Sequence, residues 1–254
     1  HPPLFQLKGP FFFARPKKSG RDRSTPRIYV AICAQKYYTF GMNAKKTDYD
    51  KLMQAQIEEL GGKKAKLLLH SCCAPCSSAC LERLKDFFEV TVFYYNPNIE
   101  EEEYRVRKAE QIRFLQETGW ADVLDCDHEA EKFYEIARGL ENVPEGGARC
   151  IKCYELRLSR TAEEAEKGGY DYFTTTLTIS PQKSSAVLNA IGEKLAKDKR
   201  AKWLYSDFKK RGGYLRSCEL AKEHSLYRQN YCGCEFSKRF TDFTAGDSTK
   251  SQQH

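Results

Sequence analysis

The sequence predicts an α/β domain in three layers, a Rossmann-like parallel sheet flanked by helices, and three observations point to it. Short apolar or β-branched runs alternate with helical patterns from Lys66 onward. The first run, AKLLLHS, is apolar at successive positions, as in a strand buried on both faces. The unusual residues crowd just past that strand's end, at His70 and Ser71, and parallel sheets bind ligands beyond the carboxyl ends of their strands.

The elements can be taken in chain order. After AKLLLHS, the segment CSSACLERLKDFF has helical spacing, with Pro75 making the turn and Cys76 beginning the helix. EVTVFYYN reads as a second strand, rich in β-branched and aromatic residues and broken by Pro97. IEEEEYRVRKAEQIRFLQETG is a long helix, with acids in its first turn and Gly119 at its end. WADVLDCD gives a third strand and EAEKFYEIARGL a helix. VPEGGAR is a loop, and CIKCYELRLSRTAEEAEKG is helical from its first cysteine. YDYFTTTLT is a fourth strand, SSAVLNAIGEKLAKD a helix, KWLYSDF a fifth strand and SCELAKEHSLYRQ a last helix.

A chain of 254 residues can bury one sizeable core, or one core plus tails. No apolar stretch reaches the ~18 residues that would cross a bilayer. The net charge of +7 is uneven: residues 1–41 carry eight basic side chains against Asp22, and the other 34 basic and 34 acidic residues cancel. That head lacks the apolar core and small-residue cleavage site of a secretory signal. The expected organisation is a basic N-terminal extension over 1–41 outside the fold, a single α/β domain over 42–240 and a disordered tail over 241–254, which offers little to bury.

Eleven cysteines are an odd number, and most are clustered: Cys72, Cys73, Cys76 and Cys80, then Cys150 and Cys153, then Cys232 and Cys234. Three readings compete for the first group: a disulfide knot, a zinc site or a redox metallocluster. Disulfide frameworks belong mostly to short secreted domains, whereas Cys-x-x-Cys pairs in a larger chain suggest metal or redox work in the cytoplasm. A thiol at a helix N-terminus is acidified by unpaired amides, and the thiolate is the form that metals bind. CIKC at 150–153 puts two sulfurs within one helical turn, so two close cysteines from each segment can make a four-sulfur cage. Adjacent cysteines are an unusual zinc pattern, although structural zinc remains the plainer alternative. Cys76 is a spare ligand, a ligand to a second metal or helix packing; Cys80, Cys126 and Cys218 read as small core hydrophobes.

NYCGCEF is a different object. Gly233 allows the backbone to fold back so that Cys232 and Cys234 can approach. A bridge across one residue closes a small strained ring, easily reduced and suited to passing electrons. The alternative is two more zinc ligands. No G-x-G-x-x-G or G-x-x-x-x-G-K-[ST] loop is present, nor a Ser-Gly-Gly-x-Asp-Ser loop, so the electrons must come from an outside donor. Residues 194–216 hold nine basic side chains against Asp198 and Asp207 and could track a phosphate backbone, with Tyr214, Tyr227 and Tyr231 available to stack on bases; a solvated surface is the duller reading.

LLLHSCCAPCSS, YYNPNI, RCIKCYELRL, TTTLTISPQKS and LAKEHSLYRQNYCGCEFS together resemble the cobalamin-independent epoxyqueuosine reductases, from about Lys66 to Ser237. The resemblance implies a HUP-like variant of the fold and a tRNA-modifying reductase. Its reaction removes the epoxide oxygen of epoxyqueuosine, in a tRNA anticodon loop, with two electrons. It implies that Cys72, Cys73, Cys150 and Cys153 hold a [4Fe-4S] cluster and that Cys232 and Cys234 form a redox-active disulfide. It also implies an additional mononuclear iron in some members; where those use a carboxylate, this chain has Cys76. A proton must reach the departing oxygen, with His70, His224, Lys222 and Tyr227 as candidates. Ser180 and Gln182 could contact the base, although Ser180 also suits a helix cap. Against this stand a thiol-disulfide reductase with structural zinc and a non-catalytic zinc-stabilised RNA-binding module.

Overall fold

Five strands form one all-parallel sheet in the order β3-β2-β1-β4-β5. The computed structural model describes residues 47–238. The expected extension over 1–41 and tail over 241–254 lie outside the described residues. The strands are β1 (Ala65–His70), β2 (Phe88–Phe93), β3 (Asp122–Leu124), β4 (Tyr172–Thr175) and β5 (Lys202–Trp203). The helices are α1 (Tyr49–Glu58), α2 (Ala74–Leu84), α3 (Glu101–Thr118), α4 (Ala130–Ala137), α5 (Ala148–Lys167), α6 (Ser185–Ala196) and α7 (Gly213–Glu223).

Alternation along β1 divides the core. Leu67 and Leu69 point to one face, packed with Met53 and Ile57 of α1, Leu81 and Leu84 of α2, Phe114 of α3 and Leu220 of α7. Leu68 points to the other, with Tyr154 and Leu158 of α5, Leu188 and Ile191 of α6, and Trp203. Helices therefore cover both sides of the sheet, as the uninterrupted LLL run requires. No helix among the described residues is long and apolar enough to cross a membrane.

Four local expectations are corrected. Helix α1 is additional to the expected elements. Helix α2 starts at Ala74, not Cys76: Cys73 is its N-cap and Pro75 sits in the first turn, where a missing N–H costs nothing. Strand β5 is two residues, not seven, because the chain beyond Leu204 turns into side-chain bonds, with Asn189 Nδ2 donating to the Ser206 carbonyl and Ser185 Oγ to Asp207. The last helix runs from Gly213 to Glu223 rather than 217–229. Leu226 N–H closes back on the Ala221 carbonyl and Ser225 takes φ 50°, so LYRQ leaves the helix as a loop.

Candidate metal and redox site

The sheet's order reverses beside β1: the chain goes from β1 to β2 on one side, and β4 later pairs on the other. Such a switch point leaves a crevice above the strand ends. Strand β1 leads into Cys72 and Cys73, and β4 leads into the turn Thr176–Ile179 and the segment to Lys183. These two segments, Arg107, Glu145, Tyr214 and the loop Arg228–Cys232 line a cavity of about 710 Å³.

The sulfurs of Cys72, Cys73 and Cys76 lie within 4.8 Å of one another, a set that could hold a metal ion. Cys73 Sγ is 3.9 Å from Cys72 Sγ and 2.7 Å from Cys76 Sγ. The cap at Cys73 makes this possible: its extended backbone turns the adjacent thiols inward, and one helical turn brings Cys76 round. Cys150 and Cys153 stand one turn apart on α5. Cys150 accepts from the Gly146 N–H at 3.3 Å and belongs to the apolar cluster on which Cys72 packs. Cys153 packs instead with Cys234, Phe133 and Phe236. The closest trio is thus Cys72, Cys73 and Cys76, with the α5 pair reaching the same region from the opposite layer. Cys232 and Cys234 are free cysteines, and Gly233 between them has φ +110°.

Three cations face these sulfurs: Arg107, which pairs with Glu103 and faces Cys73, and Arg157 and Lys183. Arg157, one turn beyond Cys153, is 1% exposed; it faces Cys153, donates to Asn96 Oδ1 at 2.5 Å and reaches His70 Nε2 at 3.2 Å. Lys183 faces Cys232, Cys72 and Cys76. Among the described residues no carboxylate lies within ion-pairing distance of Arg157 or Lys183. Arg157 is buried without a carboxylate, so thiolates, and whatever they bind, must balance its charge; Lys183 is half-buried and also faces Glu145. The thiols respond unequally. Hydrogen bonds from Cys73 and Cys76, then the Arg157 and Lys183 charges, hold Cys72 well below the usual thiol range. A hydrogen bond from Cys234 and the same two cations do so for Cys232. The bond to Cys72 pushes Cys73 up to about 12, and burial raises Cys153 to about 12. Thiolate donors with the buried charge of Arg157 and the half-buried charge of Lys183 around them suit an anionic metal–sulfur group.

The expected proton donors fare differently. His70 is wholly buried between Thr175 Oγ1 at 2.8 Å and the Tyr95 carbonyl at 3.0 Å, and burial, with Arg157 beside it, lowers it to about 3. It is a neutral core histidine. His224 caps α7 and bonds Glu117 at 2.6 Å, about 15 Å along α3 from Arg107 by helix rise. Lys222 is exposed on the same last turn of α7. Tyr227 Oη donates to Glu103 at 3.0 Å. Ser180 and Gln182 do line the cavity. Sequence reasoning missed Arg107, Arg157, Lys183 and Glu145; only Arg157 carried a signal, its four-residue spacing from Cys153 on one helix face. Burial raises the Glu145 carboxyl, and the Cys232 thiolate adds to it.

A switch-point cavity rimmed by acidified thiols defines a cysteine-based redox or metal protein of the α/β class. A family model described as "Epoxyqueuosine reductase QueH" matches residues 67–240. Among curated relatives, epoxyqueuosine reductase QueH of Streptococcus pyogenes serotype M1 is 41% identical over 203 residues, covering 77% of this chain and 80% of the relative. The Staphylococcus epidermidis protein of the same name is 39% identical over 214 residues, covering 80% and 90%. That of Haemophilus influenzae is 41% identical over 178 residues, covering 68% and 72%. The chain belongs to the epoxyqueuosine reductase QueH family.

Proposed function

We propose that this protein is an oxidoreductase that converts epoxyqueuosine to queuosine in a tRNA anticodon loop, in the cytoplasm. The carrying observation is that Cys72, Cys73, Cys76 and Cys232 open onto one cavity. Its volume suits a nucleotide-sized group, since ligand pockets run from about 300 to 1,000 Å³. Losing the epoxide oxygen as water, to leave an alkene, takes two electrons and two protons. Oxidation of the Cys232–Cys234 dithiol to a disulfide releases two of each, and an outside reductant then restores the thiols.

Cys72, Cys73, Cys150 and Cys153 would hold a [4Fe-4S] cluster, with Cys76 free for an additional mononuclear iron, and such a group supplies single-electron transfer and a Lewis-acidic metal. The chain's own residues do the rest. Arg157 and Lys183 offset the negative charge of the thiolates. Lys183 and Glu145, both facing Cys232, are the groups that would give the departing oxygen its proton. Ser180 and Gln182 offer hydrogen bonds to the base, and Tyr214 on the rim offers a stacking face.

Mass analysis of nucleosides from tRNA, after incubation of the brown, anaerobically purified protein with a reductant, tests the reading. Queuosine should replace its epoxide. Cys232→Ser and Cys234→Ser should each stop turnover and keep the colour. Persistence of the epoxide with a full cluster rejects the reaction, and loss of colour would make the pair ligands. A colourless zinc protein would favour the thiol-disulfide reductase.

A further inference from the structure

Three consecutive carbonyls on the segment that carries the dithiol each accept a hydrogen bond from the N-terminal turns of α3. The Tyr231 carbonyl accepts from Arg107 Nη2 at 3.5 Å, that of Cys232 from Arg107 Nη1 at 3.1 Å, and that of Gly233 from the Glu100 N–H at 3.2 Å. Arg107 is 2% exposed. Its Nε donates to Glu103, one turn back, at 2.6 Å, and the Tyr231 ring lies over the guanidinium at 5.3 Å. Only a planar fork of several N–H groups can serve one carboxylate and two carbonyls at once.

Gly233 completes the seat. A Cβ there would stand 2.9 Å from Ile99 Cγ1 and 3.1 Å from Arg107 Nη1, and φ +110° disfavours any side chain. The loop backbone is therefore pressed against α3. In this pose Cys232 lines the cavity while Cys234 sits in the apolar cluster with Cys153 and Phe236.

We infer that Arg107 is a positioning residue for the Cys232–Cys234 pair: by fixing the carbonyls at 231 and 232 it holds the Cys232 sulfur at the cavity. The inference rests on the reading of that pair as the two-electron reductant. Arg107 acts on the pair through the loop backbone, while its charge also faces the Cys73 thiol, so the absorbance readout keeps the two apart. A reacting group misplaced by about 1 Å can cost on the order of a hundredfold in rate.

The test uses the cluster-loaded enzyme with Arg107→Gln, Arg107→Lys and Gly233→Ala. The readouts are kcat and KM on tRNA, visible absorbance, and the rate at which iodoacetamide alkylates Cys232, measured by peptide mass. Arg107→Gln should lower kcat about tenfold or more with KM within about twofold, the split expected when a reacting group is misplaced rather than substrate binding lost. Alkylation of Cys232 should speed up as the loop leaves its seat, and absorbance should hold. Arg107→Lys, keeping the charge but gathering its donors on one nitrogen, should fall between. Gly233→Ala, which keeps the guanidinium and displaces the loop, should repeat the Arg107→Gln pattern, and it decides the matter if Arg107→Gln does not fold. Unchanged kcat, or unchanged Cys232 alkylation in the folded variants, overturns the inference. Failure of the underlying reading shows separately, as undiminished turnover by Cys232→Ser.

Discussion

His70 shows how one buried side chain sets a pH dependence for the fold. Its folded value of about 3 lies below the unfolded 6.5, because burial and then Arg157 disfavour the imidazolium. The stability that it contributes is complete above 6.5. Below that, the unfolded chain binds a proton that the folded chain refuses, and stability drains as pH falls towards 3. Between pH 7 and 5 the loss should be about 2 kcal/mol. Carboxylates held low, such as Glu82 and Glu110, matter mainly near and below 4.5 and are common to any comparison. Guanidinium unfolding at pH 7 and 5 should therefore show a smaller drop for His70→Gln than for wild type. Equal drops would remove His70 as the source. At this scale the cysteines were legible because spacing within a turn is a local property. Arg107 was not, and Arg157 only through its spacing from Cys153. In EEEYRVRKAE and CYELRLSR they look like solvated helix charges, and only tertiary packing buries them.

Among elements, helices α2, α3, α5 and α6 were legible because apolar periodicity, Pro75 and Gly119 mark them locally. Strand β5 was not, because what stops it is contact with distant residues, and the end of α7 was not, because the left-handed residue that closes it is Ser225 rather than a glycine. Trp203 on β5 donates from Nε1 to Asn189 Oδ1 of α6 at 2.9 Å, and Gly192 of α6 lies against its ring. A Cβ at Gly192 would fall 2.2–2.4 Å from three ring carbons. Alanine would gain about 1 kcal/mol of helix propensity, but overpacking a core costs about 1–3 kcal/mol, and this ring is pinned by its hydrogen bond. The clash wins. Gly192→Ala should lower the thermal midpoint by several degrees, the shift that about 1–2 kcal/mol produces in a domain of this size. In a Trp203→Ala background, with the ring gone, the same substitution should raise it. A loss of equal size in both backgrounds would show that the ring is not the cause.

Across the whole molecule, the sheet separates two regions that are continuous in sequence. The basic stretch 194–216 reads as one strip beside the dithiol, yet α6, about 18 Å long, has carried the chain from the carboxyl ends of the strands to their amino ends before the stretch begins, and β5 carries it back. Lys194, Lys197 and Lys202 lie towards the amino end of β5, away from the cavity at the carboxyl ends. Several of the remaining cations are engaged: Lys209 by Asp207 at 2.8 Å, Arg211 by Asp50 at 2.7 Å, and Arg216 by Glu82, Glu219 and Glu223. The tyrosines divide likewise, with Tyr231 on Arg107 and Tyr227 on Glu103, so Tyr214, 38% exposed on the cavity rim, is left to stack. Arg228 on the same rim is exposed. If tRNA is gripped there, Tyr214→Ala should raise KM for tRNA about tenfold, the scale of one lost base stack. Arg228→Ala should weaken binding and lessen its salt dependence by about one counterion. Lys197→Ala combined with Lys199→Ala should leave both unchanged, despite removing more charge. Binding at two salt concentrations compares the faces directly. An effect of the lysine pair as large as that of Arg228 would place the nucleic acid at the wrong end of the strands for chemistry at the thiols.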